Sequence, residues 1–305
     1  VVLCLVGCGG WQYFNVGMHD ALEWYARAYD FVEVNSTFYT VPERKTVASW
    51  RGRVPEAFEF TVKAHRELTH VNQLSPKRET HEIFEKMKNI CEILRSEILV
   101  METPPAFDVG ENLEGIQDFL YSLNPGNLRI AWEMRCYDER EVPLRVAELM
   151  REHHIIHCVD YSTSKPSFES DVTYTRLFGR GKGNIYQFTD KELADINSCV
   201  EETGSKRKYM NFHGVKMYKD AARMILFKRT GRFPKVTKSV GQKSLEEVLL
   251  EDARFPASRR ELLESQGWKV FDKTDSLRVR VSDAISGIPE RIYADIEDVL
   301  NQMTS

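Results

Sequence analysis

The chain has 305 residues, of which 42% are hydrophobic, 29% charged and 11% aromatic. That mix excludes disordered, collagen-like and membrane-spanning classes, and the length suits a barrel plus an appendage. With 42 Lys and Arg against 46 Asp and Glu the net charge is −4, so no global charge draws the chain to nucleic acid or to a membrane.

In chain order, short apolar or alternating runs predict strands at 2–8, 31–35, 58–64, 97–103, 129–134, 155–160, 173–179 and 208–213. Segments with 3.6-residue periodicity lie between most of them: 19–30, 43–52, 79–95, 111–123, 139–153, 190–202 and 218–230. The stretch YSTSKPSFESDV, between the sixth and seventh strands, reads as loop. Eight strands alternating with about seven helices predict a TIM-type (β/α)8 barrel with an irregular or missing helix between strands six and seven. The GCGGW turn after strand one does not fit the spacing of a dinucleotide-binding turn, which argues against a doubly wound open sheet. Residues 232–243 carry no hydrophobic periodicity and read as a linker between a barrel, 1–231, and a small α+β C-terminal domain, 244–305. That domain has helical patterns at SLEEVLLED, ASRRELLESQ, DAISGI and ADIEDVLNQM, and short β-like runs at KVFD and LRVRV. Its size is marginal for an independent core, which suggests docking on the barrel or on a protein partner.

No basic residue precedes the short apolar run VVLCLVGC, and no stretch of eighteen apolar residues occurs. The expectation is a cytoplasmic location without membrane attachment. The six cysteines are scattered and read as reduced, mostly buried thiols; an iron–sulfur cluster is disfavoured because no cluster spacing is completed.

The strand-end motifs carry a resemblance. VEVNSTFYTVPERKTVASW followed by FEFTVKAHRELTH, with GCGGW, ETPPAF, EMR, YTRLFGR and MNFHG, resembles the YecE-like family, domain-of-unknown-function family 72, over about residues 1–231. The resemblance implies a TIM-type barrel and no particular activity. Two positions depart from the family pattern: Glu102 stands where Gln is frequent, and Asn211-Phe212-His213 replaces paired asparagines. The tail, from FPASRRELL to IPERIYADIEDVL, resembles a second uncharacterised family, number 2795 of the same series.

Active sites of such barrels lie at the C-terminal strand ends. This rule selects Trp11, Glu33, Asn35, Tyr39, Lys63, His65, Glu102, Glu133, Arg135, Asp160, Arg176, Asn211 and His213. Apolar packing does not need so many ionisable groups, although a self-satisfied ring, with Arg135 and Arg176 neutralising Glu33 and Glu133, is the bland alternative. Glu33, His65, Glu133, Asp160 and His213 are the candidate acids and bases. Trp11, Asn35, Tyr39, Lys63, Arg135, Arg176 and Asn211 are candidate ligand contacts. The loop FGRGKGN after strand seven adds Gly179, Arg180 and Lys182 as an anion cradle. Residues 203–243 hold twelve Lys or Arg against Asp220 alone, 12 − 1 = +11, which could extend one electropositive surface. Glu33, Glu133, Asp160 and His213 form a candidate oxygen–nitrogen set for a divalent Zn, Mn or Mg. These features favour an anion-binding enzyme of the hydrolase class that cleaves or binds phosphodiesters of DNA or RNA, with or without a metal. The alternatives are an enzyme for a sugar phosphate or similar small anion, and a non-catalytic module that senses a ligand or binds a partner.

Overall fold

The computed structural model describes residues 2–137, 141–181 and 183–304. The chain forms two compact units, Val1–Leu177 with Ser198–His213, and Phe178–Asn197 with Gly214–Ser305.

The first unit contains eight parallel strands: β1 (Leu3–Cys8), β2 (Phe31–Val34), β3 (Glu59–Lys63), β4 (Ile98–Thr103), β5 (Arg129–Met134), β6 (Ile156–His157), β7 (Val172–Leu177) and β8 (Arg207–Phe212). Their spatial order is β6-β5-β4-β3-β2-β1-β8-β7, and every pairing is parallel. A parallel bridge between Val159 and Thr175 joins the chain after β6 to β7 and closes the ring. The Thr175 hydroxyl donates to Val159 O at 2.8 Å and accepts from Tyr161 N–H at 3.1 Å. β6 is shorter than the expected 155–160, and its continuation meets β7 through this isolated bridge. Residues 158–171 contain no helix, as the sequence pattern predicts.

Helices α1 (Ala21–Ala28), α2 (Arg44–Gly52), α3 (Arg78–Leu94), α4 (Leu113–Ser122) and α5 (Leu144–Glu152) alternate with the first six strands. The Asp20 carboxylate caps α1 by accepting from Glu23 N–H at 2.9 Å. In α3 the buried set Ile83, Phe84, Met87, Ile90, Cys91 and Leu94 follows the i, i+3, i+4 spacing of one buried stripe. Alternate strand positions point inward. The inward apolar and aromatic cluster comprises Leu5, Phe31, Ile98, Val100, Ala131, Ile156, Cys158, Tyr174 and Tyr209. Gly7 is required where β1 meets β2, since a Cβ there would lie 2.2 Å from Phe31 O. Below that cluster, at the N-terminal strand ends, Arg207 pairs with Glu59 and Glu97.

Helix α6 (Asp190–Glu201) runs across the division between the units. In the second unit, α7 (Met217–Thr230), α8 (Gln242–Leu249), α9 (Arg259–Gln266), α10 (Val281–Ile285) and α11 (Ile296–Asn301) accompany two antiparallel pairs. These are β10 (Val270–Asp272) with β11 (Arg278–Arg280), and β9 (Ala257–Ser258) with β12 (Ile292–Tyr293). Sequence reading finds the first pair and misses the second, because two-residue strands leave no alternation. Leu245, Leu249, Leu262, Phe271, Val281, Ile285 and Tyr293 make its core. Within the stretch read as a linker, Val236 and Thr237 donate backbone N–H groups to the buried Asp272 carboxylate at 3.0 and 2.8 Å. Among the described residues, no helix is long and apolar enough to cross a membrane.

Candidate active site at the barrel mouth

The inward layer nearest the C-terminal strand ends is charged. Stepping two residues on from the apolar and aromatic cluster leads from Phe31 to Glu33, Val100 to Glu102, Ala131 to Glu133, Tyr174 to Arg176 and Tyr209 to Asn211. Lys63 ends β3 two residues after Thr61. The side chains meet around Arg176, which is 2% exposed. Arg176 Nη2 lies 3.1 Å from Glu33 Oε1, Nη1 lies 2.7 Å from Glu102 Oε2, and Nη1 also bonds Glu133 Oε2. Lys63 Nζ reaches Glu102 Oε2 at 2.9 Å, and Arg135 Nη2 reaches the same oxygen at 3.4 Å and Glu133 Oε1 at 3.3 Å. Three cations therefore converge on one oxygen of Glu102. Three carboxylates and three cations give the cluster a formal charge of zero, as the self-satisfied alternative anticipates for Glu33 and Glu133.

Burial alone would raise the Glu102 pKa, but Arg176, Lys63 and Arg135 outweigh it and hold the carboxyl well below its usual range. Burial and the neighbouring Arg176 lower the Lys63 pKa against the pull of Glu102. Lys63 Nζ also lies 4.2 Å from the centre of the Phe38 ring. The Thr37 hydroxyl fixes this placement, 2.6 Å from both Val34 O and Lys63 O.

Glu33 is fully buried and accepts from Tyr174 OH at 2.9 Å and from Asn211 Nδ2 at 2.6 Å. Asn211 Nδ2 lies 3.0 Å from His213 Nε2. An amide that donates to a carboxylate also presents N–H to the ring, which assigns Nε2 as acceptor and leaves the ring proton on Nδ1. Burial, then Arg176, Lys63 and Arg135, push the His213 pKa well below its ordinary value, so the ring is neutral at pH 7. Gly9 lies against its other edge: a Cβ there would stand 2.3 Å from His213 Cε1 and 2.4 Å from Nδ1.

The mouth thus brings together Glu33, Lys63, Glu133, Arg135, Arg176, Asn211 and His213 of the residues expected from sequence. The others make contacts outside this charged cluster. Asp160 turns back on its own loop and accepts from Ser162 N–H and Oγ–H at 2.8 and 2.6 Å. Trp11 is buried edge-on against Trp50 at 5.3 Å, which removes it as a stacking face. Asn35 holds Gly9 O at 2.8 Å. Tyr39 is 71% exposed beside Phe38. His65 is buried, with its Nδ1 accepting from Glu67 N–H at 3.3 Å.

The candidate metal set does not assemble. Glu33 and Glu133 surround a guanidinium, and among the described residues no three His, Cys, Asp or Glu side chains come together as a metal site. The cysteines, counted in that set, make no cluster either, and all six are free thiols.

The glycine loop belongs to the second unit. A Cβ on Gly179 would stand 2.2 Å from the Tyr186 ring, so close aromatic packing together with φ +76° accounts for this glycine without an anion. Arg180 is exposed, and Lys182 lies outside the described residues. The basic run is not one bare surface. Arg207 caps the opposite end of the barrel, Lys208 is buried against Glu201 O at 2.8 Å, Lys216 and Lys219 pair with Glu251, and Arg223 pairs with Asp220 and Asp190.

Three further residues frame the mouth: Tyr174, Phe38 and His70. Tyr174 lies on the inward alternation one step before Arg176 and was identifiable from it. Phe38 and His70 depend on loop geometry. Residues Glu67–Val71 form one π-helical turn, closed by Asn72 N–H to Glu67 O at 2.9 Å. It leads into Gln73 and Leu74 with φ of +51° and +53°. Leu74 is fully buried. Left-handed backbone at a bulky non-glycine residue costs about 1–3 kcal/mol and persists where packing enforces it.

A family model described as a protein of unknown function, DUF72, matches residues 5–231. Among solved structures, a DUF72 family protein from Enterococcus faecalis V583 is 18% identical, with a TM-score of 0.57 over 75% of this chain and 98% of its own. One from Thermotoga maritima MSB8 is 22% identical, with a TM-score of 0.56 over 74% of this chain and 98% of its own. At these identities the likeness is one of fold. No curated protein matches the chain.

Proposed function

We propose, for a chain that belongs to the DUF72 family of proteins of unknown function, that the barrel mouth is an enzyme active site for a small anion of the sugar-phosphate class, acting by proton transfer. The observation that carries this reading is the convergence of Lys63, Arg176 and Arg135 on Glu102 Oε2. One carboxylate oxygen fills a position that three cations make favourable for any oxyanion. An incoming phosphate that displaces it meets the partly exposed Arg135 and the buried Lys63, in front of a buried guanidinium.

Two features favour a small ligand over nucleic acid. The cluster is charge-balanced and deeply set, so it projects little field towards an extended polyanion. Within the basic run that suggested DNA or RNA, Arg207, Lys208, Lys216, Lys219 and Arg223 are engaged by internal partners. The phosphodiester reading loses part of its support with those residues, and the metal-assisted form loses its ligand set.

The test is calorimetric titration of inorganic phosphate and glycerol 3-phosphate into wild type, Glu102→Gln and Lys63→Ala. Glu102→Gln should bind at least threefold more tightly, because the internal competitor loses its charge, and Lys63→Ala should bind at least tenfold more weakly. Absence of phosphate binding in all three proteins refutes the proposal. So does single-stranded oligonucleotide binding that weakens steeply with salt.

A further inference from the structure

We infer that His70, on the π-helical turn after β3, is the proton-transfer residue of this site, its Nε2 meeting a substrate hydroxyl while Lys63 and Arg135 hold the anion. The inference rests on the small-anion reading above.

Three histidines stand near the mouth, and they differ in what their ring nitrogens face. His213 has Nε2 turned to Asn211 and Glu33 and its opposite edge closed by the Gly9 backbone. His65 is buried and its Nδ1 already accepts a backbone N–H. His70 is partly exposed. Its Nδ1 lies 2.9 Å from the buried Thr69 hydroxyl, and the tautomer the proposal takes has Nδ1–H donating to that oxygen, which leaves the lone pair on Nε2, a nitrogen with no hydrogen-bond partner among the described residues. The hydroxyl anchors the ring, and the open nitrogen remains for chemistry.

Placement agrees with this role. The imidazole packs edge-on against Phe38 at 4.9 Å, and the same Phe38 ring carries Lys63 Nζ at 4.2 Å. The charged groups acting on it are Glu102 from β4, Lys63 from β3, and Arg66 and Arg135 from the loops that follow. Burial, with Lys63, Arg66 and Arg135, outweighs Glu102 and sets the pKa below its ordinary 6.5. The ring is therefore neutral at pH 7 and able to accept a proton. The turn that presents it is non-standard helix leading into two left-handed residues, a conformation held by packing rather than by local preference.

The step balances without a co-reactant. The substrate O–H bond breaks and its electron pair stays on oxygen. The proton forms N–H at His70 Nε2, and the new imidazolium joins Lys63 and Arg135 in holding the oxyanion. Return of the proton restores the ring.

The experiment is carbethoxylation by diethyl pyrocarbonate at pH 7, resolved by peptide mass spectrometry, with and without saturating glycerol 3-phosphate, beside calorimetry on the same protein. His70 is expected to react at least tenfold faster than His65 and His213, and glycerol 3-phosphate should slow it at least tenfold. Glycerol 3-phosphate that binds while leaving the His70 rate unchanged overturns the inference and spares the small-anion reading. Failure of glycerol 3-phosphate to bind overturns both.

Discussion

Replacing Arg176 with Met tests whether the mouth is held together by charge. The guanidinium faces Glu33 at 3.1 Å, Glu102 at 2.7 Å and also Glu133. At an effective dielectric of about 20, one contact near 3 Å is worth about 5–6 kcal/mol before desolvation. Burial of all four groups cancels most of that sum. Removing one member of a buried pair nonetheless costs about 3–5 kcal/mol, because the surviving charges stay buried without their partner. Met keeps much of the volume, so cavity formation adds little. Arg176→Met leaves three carboxylates facing Lys63 and Arg135, a formal charge of −1 in place of zero. We expect a loss of about 3–5 kcal/mol in urea denaturation at pH 7, or about 6–20 °C in melting temperature. The pH dependence supplies a second check. In the wild type the Glu102 pKa is depressed below 4.5, so its stabilising contribution is complete above that pH and fades as pH falls through the folded value. Without Arg176 that depression shrinks, and the gap between variant and wild type should narrow on acidification below about pH 4.5. A variant within about 1 kcal/mol of wild type at pH 7, or a gap that widens in acid, refutes the account.

Three further outcomes follow from the same geometry. Gly9→Ala drives a Cβ to within 2.4 Å of the His213 ring and should cost about 1–3 kcal/mol by urea denaturation; a neutral effect would show that the ring has room to move. Burial pushes the His157 imidazole down to about 4 from 6.5, so the unfolded chain binds the extra proton between those values and stability is lost as pH falls from 6.5 to 4. The shift corresponds to about 3 kcal/mol, and His157→Gln should flatten the wild-type decline by that amount between pH 7 and pH 4, whereas an unchanged slope contradicts it. In the second unit, Ser258 and Glu261 form a reciprocal cap at the start of α9, with Ser258 N–H donating to Glu261 Oε2 at 2.7 Å. Ser258→Ala should therefore lower stability by about 1 kcal/mol, read as a shift in the urea midpoint at constant slope.

The barrel was legible because its strands repeat one grammar. Four of them have an inward position that is apolar or aromatic midway and charged at the C-terminal end, as in Val172, Tyr174, Arg176 on β7 or Ile98, Val100, Glu102 on β4. That period-2 step is a local property, so residue types alone locate both the wall and its rim. The turn carrying His70 was not legible. A π-helical turn and a buried Leu74 in left-handed backbone are imposed by packing from other strands, and no preference in RELTHVNQL encodes them. The histidines show the same limit. His65 and His213 stand closer to their strand ends than His70 and were chosen for that reason, but distance along the chain does not reveal which nitrogen meets Asn211, Glu67 or nothing.

Charge composition misleads in a related way, because a run of charges in sequence is summed without its partners. Residues 203–243 carry +11 on paper, yet Arg207, Lys216, Lys219 and Arg223 each meet acids distant in sequence or one helical turn away. At the mouth the same subtraction removes Glu33 and Glu133 as open bases, because Arg176 engages both. What survives is specific: one oxygen of Glu102 shared by three cations, and one imidazole nitrogen on the neighbouring turn that no described side chain fills. An oxyanion acceptor site beside a neutral proton acceptor is the minimum equipment for proton transfer on a charged hydroxyl compound. It requires no net positive field, and this explains how a charge-balanced mouth, in a chain of net charge −4, suits an anionic substrate.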